Sequence, residues 1–477
     1  MKTSRCIAIL LFGLLQISNA QKWVDTLYNF QQINDIPYGT NYDFAGNIRT
    51  HLLNVTVPVN DTAPVCGRPL LLAIHGGAFL AGNKDSDAPP NWIKDFARRG
   101  YTCASINYRL GMFHTDSYIH CNVANWDCLN MQDTAEWYRG AYRAMQDAKG
   151  ALRFLLNNAA LYNIDPRNVF LVGESAGGIT ALQVAFLDDA TEKYSQAGVL
   201  NNVAAPNALY EGPCILTGGF DTSIASMQLT RPDLGNIDGD LNPSFVPYTI
   251  KGVGSFYGAI VSDIFTLHTY TKAPVLYMYH QPNDLVVNYD YGKIEGGVSN
   301  CFTQFPTFCQ GIVNLPYAYG SYGIRNMINN LSVNGVVVPQ VFFDSTLNNA
   351  DCYAQALNPS MVGHSIDDYN LRTLHMAQFF APQIDTSSIC NTNVLEASIT
   401  SSAITVYPNP AETFLYVNIS NEKIIVANFY DLLGKKIYTL SNLTTGNKIY
   451  LPPLQPGVYL LELQTSVKIY HSKFSKK

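Results

Sequence analysis

The stretch Gly173-Glu174-Ser175-Ala176-Gly177-Gly178 constrains this chain more than any other. It follows the apolar run Val169-Phe170-Leu171-Val172 and precedes Ile179, Leu182, Ala185 and Phe186, spaced by three and four as on one face of a helix. Strand, sharp turn and helix together are the setting in which a G-x-S-x-G serine stands clear of the backbone. Gly173 and Gly177 flank the turn, where a side chain would block the approach of strand to helix. Ser175 then lies at a helix N-terminus, whose free N–H groups and dipole favour a developing negative charge.

The surrounding sequence fits an α/β sheet. Leu70-Leu71-Leu72-Ala73-Ile74 is a short continuous apolar run of the kind buried on both faces of a parallel sheet, and it ends in His75-Gly76-Gly77-Ala78-Phe79. A helix is expected over 92–99, a strand over 101–107 and a long helix over 137–161, with Ala144, Ala148, Ala151, Leu152 and Leu155 on one stripe. Further strands are expected at 250–255, 275–279 and 336–343, and Leu53 to Val57 alternates like an edge strand. Residues 188–248, rich in Asn, Asp, Gly and Pro, read as a cap insertion, and 290–335 as a second insertion. Within the first, Asp238 and Asp240 lack the ligand series of an EF-type calcium loop and read as a solvated turn.

Beyond a linker at 391–401, short strands divided by Gly, Asn and Pro imply a separate β-sandwich over 402–477. The expected architecture is therefore an α/β domain over 21–390, with a mostly parallel sheet flanked by helices, followed by a small C-terminal β-sandwich. Residues 1–20 read as an export signal: Lys2 and Arg5, an apolar core from Cys6 to Leu15, then Ser18-Asn19-Ala20. That core is too short for a transmembrane anchor. Export suits the nine cysteines after Cys6, among which Cys121–Cys128 and Cys301–Cys309 are the favoured pairs. An odd total leaves a free thiol, with Cys103 and Cys214 the candidates. A net charge of −6 without a basic cluster argues against nucleic acid as a partner.

A serine alcohol needs a base, and the base needs an orienting carboxylate. In such a sheet the chain order is serine, acid, histidine, each on a loop at a strand's carboxyl end. His268, His280, His364, His375 and His471 follow Ser175, and His364, in Val362-Gly363-His364-Ser365 beyond the last sheet strand, best fits the base. Asp284, on the loop after the 275–279 strand, is favoured as the acid over Asp344, which follows the 336–343 run. The backbone N–H groups of Ala176, Gly77 and Ala78 are candidate oxyanion donors.

The HGGAF and GESAGG motifs, with Ala144-Met145-Gln146-Asp147-Ala148 and Asp165-Pro166 leading to the serine, resemble the carboxylesterase and hormone-sensitive-lipase-like branches of the α/β-hydrolases over residues 65–375. The resemblance implies Ser175, Asp284 and His364 as a catalytic triad and Gly76, Gly77 and Ala176 at the oxyanion positions. Ala78 stands where a third glycine is usual. Tyr407-Pro408-Asn409-Pro410-Ala411, Gly434-Lys435, Pro456-Gly457-Val458-Tyr459 and Lys473 resemble the type IX secretion C-terminal sorting domain. That second resemblance implies a gram-negative source, passage across its outer membrane through the type IX machinery, and release or attachment at the cell surface.

The expected activity is serine carboxylic ester hydrolysis through an acyl-enzyme, with no metal or organic cofactor, on small or polymeric esters such as aryl, feruloyl or acetyl groups or polyesters. An exported peptidase of the same fold and a non-catalytic surface binding protein are the alternatives. The first would carry an added propeller or a carboxylate clamp for a peptide amine, and the second would not need an intact serine, base and acid.

Overall fold

The computed structural model describes residues 21–44, 46–114, 134–204, 208–210, 228–243, 246–261, 273–297, 315–358, 361–387, 405–418, 424–431, 436–441, 448–465 and 469–477. The expected signal over 1–20 and the cysteine pairs Cys121–Cys128 and Cys301–Cys309 fall outside them. Among the described residues no helix is long and apolar enough to cross a membrane.

Eight strands make the main sheet: β1 (Asn29–Tyr42), β2 (Ile48–Val59), β3 (Arg68–Ile74), β4 (Thr102–Ile106), β5 (Ile164–Glu174), β6 (Ile250–Phe256), β7 (Val275–Tyr279) and β8 (Val341–Asp344). Their spatial order is β1-β2-β4-β3-β5-β6-β7-β8. The β1–β2 and β2–β4 pairs are antiparallel, and every later pair is parallel.

Side chains alternate between two cores, because successive residues of a strand point to opposite faces. Leu70, Leu72 and Ile74, with Val169, Leu171, Leu276 and Met278, face one core. Leu71, Ala73, Phe170, Val172, Val275, Tyr277 and Tyr279 face the other. Helices cover both faces, which is why the strands read as unbroken apolar runs. On the first face lie α2 (Thr134–Asn157) and α3 (Ala176–Phe186), through Ala144, Ala148, Leu152, Ala181 and Leu182. On the second lie α1 (Pro89–Arg98) and α5 (Tyr369–Phe380), through Trp92, Phe96, Met376 and Phe380. The helix α4 (Ser321–Val333) precedes β8.

The edge-strand expectation for Leu53 to Val57 is corrected. Leu53 to Thr56 pair with β4 on one side, while β1 covers the other side of β2 and is itself the outer strand. Residues 29–42 are largely polar, and register shifts interrupt the pairing at Ile33/Ile36 and Pro37/Gly39. Irregular polar edges of that kind resist edge-to-edge pairing, and their weak alternation hides them in sequence. The expected 336–343 strand is shorter too: it spans Val341–Asp344, and residues 336–340, between the turn that ends α4 and this strand, have no regular structure.

Polar side chains of α2 hold the segment near residue 240. Gln146 donates to the carbonyls of Leu234 and Asn236, and Arg153 to those of Asp238 and Leu241. Asp238 pairs with Lys149 at 3.1 Å. Cys103 is a buried free thiol, whereas Cys66 and Cys352 are each disulfide-bonded.

The C-terminal strands form a three-stranded sheet (405–407, 414–418, 448–450) and a four-stranded sheet (436–441, 424–430, 457–465, 469–476), all antiparallel. They enclose a core of their own from Ala411, Leu415, Val417, Phe429, Leu461, Leu463 and Phe474.

Candidate active site

Ser175 follows β5 directly and caps α3 with φ 53° and ψ −123°. This is strained backbone for a residue with a Cβ, and the crossing of strand and helix imposes it. A Cβ on Gly173 would lie 2.2 Å from the Gly177 carbonyl oxygen, and one on Gly177 would lie 2.1 Å from the Ile74 oxygen. Both glycines are thus required by contact. Ala176 opens the helix, so its N–H has no acceptor one turn back.

The turn after β3 lies beside it. The Gly77 carbonyl accepts from Leu80 N and Ala81 N, and Gly77, Ala78 and Phe79 all have positive φ, at 102°, 52° and 64°. His75 anchors this turn, its Nδ1–H donating to Gly76 O at 2.7 Å while its ring stacks on Tyr108 at 4.3 Å. Burial pushes the His75 imidazole down to about 4, so the ring is a neutral strut. The Tyr108 hydroxyl donates to the carbonyls of His75 and Gly76 at 2.9 and 3.2 Å.

Asp284 lies on the loop after β7 and is buried. Its Oδ1 accepts from Val286 N and Val287 N at 2.8 and 3.0 Å, and its Oδ2 is 2.6 Å from His364 Nδ1. Burial pushes this carboxyl up, but the charge of His364 and hydrogen bonds from His280 and His364 outweigh it and hold the group below the ordinary carboxylate value. Among the described residues the buried Nε2 of His364 has no hydrogen-bond partner. Ser175 and His364 line one cleft of 580 Å³ together with Gly76, Gly77, Ala78, Glu174 and Tyr257. The hydrogen bond between Ser175 Oγ and Nε2 is not formed in this state.

The rival acid, Asp344, is committed elsewhere. Its Oδ1 accepts from Arg372 at 2.7 Å, and its Oδ2 meets His375 Nδ1 at 2.7 Å and the Tyr277 hydroxyl at 3.0 Å, tying β8 to α5.

Three neighbours of the site have roles that the sequence reading did not assign. Glu174 is buried beside the serine, accepting from Ala88 N at 2.8 Å and from the Tyr257 hydroxyl at 2.6 Å. Burial raises its carboxyl above the ordinary value against those two hydrogen bonds. Tyr257, which follows β6, sets its ring 4.4 Å from that of His364. His280 reaches Asp284 Oδ2 with Nε2 at 3.1 Å. Only its spacing, four residues before the acid, could have pointed to it.

An antiparallel start and a parallel run in this strand order, with a serine at the strand-to-helix elbow and an Asp–His pair at the same carboxyl edge, are the arrangement of the α/β-hydrolase fold. Residues 53–117 and 130–209 match the family model BD-FAE, and residues 405–477 match the model of the secretion system C-terminal sorting domain. The chain is 34% identical over 131 residues to para-nitrobenzyl esterase of Bacillus subtilis, covering 27% of this chain and 23% of that protein. It is 25% identical over 186 residues to Esterase B1 of Culex pipiens, covering 38% and 30%. With phenmedipham hydrolase of Pseudarthrobacter oxydans it shares 33% identity over 120 residues, covering 25% and 20%. The chain thus spans less than a third of the length of these relatives.

Among solved structures, Thermogutta terrifontis esterase 2 phosphonylated by cyclosarin aligns at TM-score 0.38 and 14% identity, covering 74% of this chain and 94% of that one. A truncated carbohydrate esterase from gut microbiota aligns at 0.39 and 14%, covering 75% and 98%. The fold rests on the strand order of the eight-stranded sheet.

Proposed function

We propose that this protein is an exported serine ester hydrolase. Ser175 is the nucleophile, His364 the base and Asp284 the residue that orients it. The observation that carries the reading is the 2.6 Å contact of Asp284 Oδ2 with His364 Nδ1, on a histidine that shares its cleft with Ser175. Asp284 keeps the proton on Nδ1, which leaves Nε2 as the basic nitrogen. In apo sites such serine–histidine contacts are often open and tighten with substrate.

Ser175 Oγ attacks the ester carbonyl as Nε2 takes its proton. The carbonyl oxygen becomes an oxyanion, met by the N–H groups of Ala176, Gly77 and Ala78. His364 then protonates the leaving alcohol, and an acyl-serine remains. Water, deprotonated by the same nitrogen, attacks the acyl carbon, the C–Oγ bond breaks, and the acid leaves as Ser175 regains its proton. Small aromatic esters, aryl or benzyl, are the first substrates to try, because para-nitrobenzyl esterase is among the relatives. Feruloyl or acetyl groups on polymers and polyesters come next, since an exported enzyme meets bulky extracellular esters. The sorting domain supports delivery through the type IX machinery to the surface or medium of a gram-negative cell.

Ser175→Ala should lower kcat on p-nitrophenyl acetate by about a thousandfold or more, with the fold intact by circular dichroism. Retained turnover in that variant sinks the nucleophile assignment.

A further inference from the structure

Asp284 is gripped by two histidines, and the reaction above uses one. His280 closes β7, is fully buried and has both ring nitrogens engaged. The backbone N–H of Ser321, at the start of α4, donates to its Nδ1 at 3.3 Å, with Ser321 Oγ at 3.1 Å. Nδ1 is therefore an acceptor, and the ring proton sits on Nε2. From there it is shared between Asp284 Oδ2 at 3.1 Å and Val287 O at 3.0 Å. Ser345 Oγ donates to the His280 carbonyl at 2.8 Å, and the Tyr289 ring meets the imidazole edge-on at 5.6 Å, so the ring is fixed on several sides.

We infer that His280 is a positioning residue for the catalytic acid, setting both the orientation of Asp284 and the strength of its grip on His364. The inference rests on the serine-hydrolase reading above. Asp284 accepts four hydrogen bonds: two amides on Oδ1 and two imidazoles on Oδ2. The His280 donor draws charge from the same oxygen that holds the His364 proton. Remove it, and Oδ2 becomes a stronger acceptor for His364 alone, which favours the imidazolium. The carboxylate also loses one of the contacts that fix its angle to the ring, and a misaimed base slows proton transfer. His280 cannot serve as the base itself, since it is buried away from the cleft with no free nitrogen.

The charged and titratable groups around this pair are few. His364 faces Asp284 and the ring of Tyr257 and shares its cleft with Glu174, Asp87 and Tyr369; His280 faces Asp284 and Tyr289. None changes in the variants below, so a shifted pH profile reports His280.

The test compares His280→Asn and His280→Gln in the full chain on p-nitrophenyl acetate, from about pH 5 to about pH 9. An asparagine amide reaches the place of Nδ1 and can still accept from Ser321 N, but it falls short of Asp284. A glutamine amide reaches the place of Nε2 and can still donate to Oδ2. His280→Asn should lose about tenfold in kcat with KM nearly unchanged, and its acid limb should move to higher pH. His280→Gln should stay within about threefold of wild type with the limb in place. A folded His280→Asn with wild-type kcat and pH profile overturns the inference, as do equal losses in both variants with an unmoved limb. Should His280→Asn fail to fold, nitrogen NMR of wild-type His280 decides: a proton on Nε2 supports the role and a proton on Nδ1 overturns it. Wild type without Ser175-dependent turnover would instead sink the hydrolase reading.

Discussion

Ser175 holds its strained positive-φ conformation because its neighbours leave the chain no other path, and the residue thereby lines the cleft. Glu174, one residue earlier, faces the opposite demand: it is a carboxyl placed where water is excluded. Its native affinity for a proton is raised by burial, so its contribution to stability is complete below the unfolded value, near 4.3, and is lost as pH rises through the native value. Glutamine has the same shape, can accept from Ala88 N and can donate to the Tyr257 oxygen. Glu174→Gln should therefore unfold at higher urea than wild type at pH 7, with the gap closing toward pH 4. A urea gap independent of pH would show that the carboxyl is not strained by burial.

The crossing of β5 and α3 is set by absent side chains. Gly177 passes so close to the end of β3 that an added methyl would overlap the carbonyls of both Ile74 and His75. Both contacts are backbone, which cannot swing aside. Gly177→Ala should cost about 3 kcal/mol or more and remove activity by displacing Ser175 from the Gly76–Gly77 turn. Equilibrium urea unfolding checks the first effect and ester turnover the second. This element was legible in sequence, because its glycines, its apolar strand and its helix spacing lie within a few consecutive residues. The outer strand β1 was not, since a half-exposed polar strand has little alternation to read. Asp344 had the right chain order for the acid, and only the contacts of Arg372 and His375 commit it to tying β8 to α5.

The chain builds its cores separately: two flank the eight-stranded sheet, and a third belongs wholly to residues 406–474. A body with its own core can be removed without emptying another. We therefore expect a chain ending at residue 401 to keep kcat/KM on aryl esters within about twofold of the full chain. In its native host the same truncation should leave the enzyme inside the cell envelope, as fractionation with an activity assay would reveal. A large loss of kcat/KM would mean that the tail completes the catalytic body.

The amino-acid order alone determined the Gly173–Gly178 turn, the parallel apolar strands, the His75–Phe79 turn and the tail that matches a sorting domain, because each is written in neighbouring residues whose spacing matches a local geometry. It also proposed His364 and Asp284, through the order in which sheet loops must supply a base and an acid. Only the tertiary structure brought Asp284 to 2.6 Å from one histidine and 3.1 Å from another, and set Tyr257 beside His364 and Glu174 against Tyr257. Those contacts join the loop after β7, the loop before α5, the residue after β6 and the end of β5. Contacts between distant segments depend on how the sheet stacks its strands, and no local run of residues encodes that.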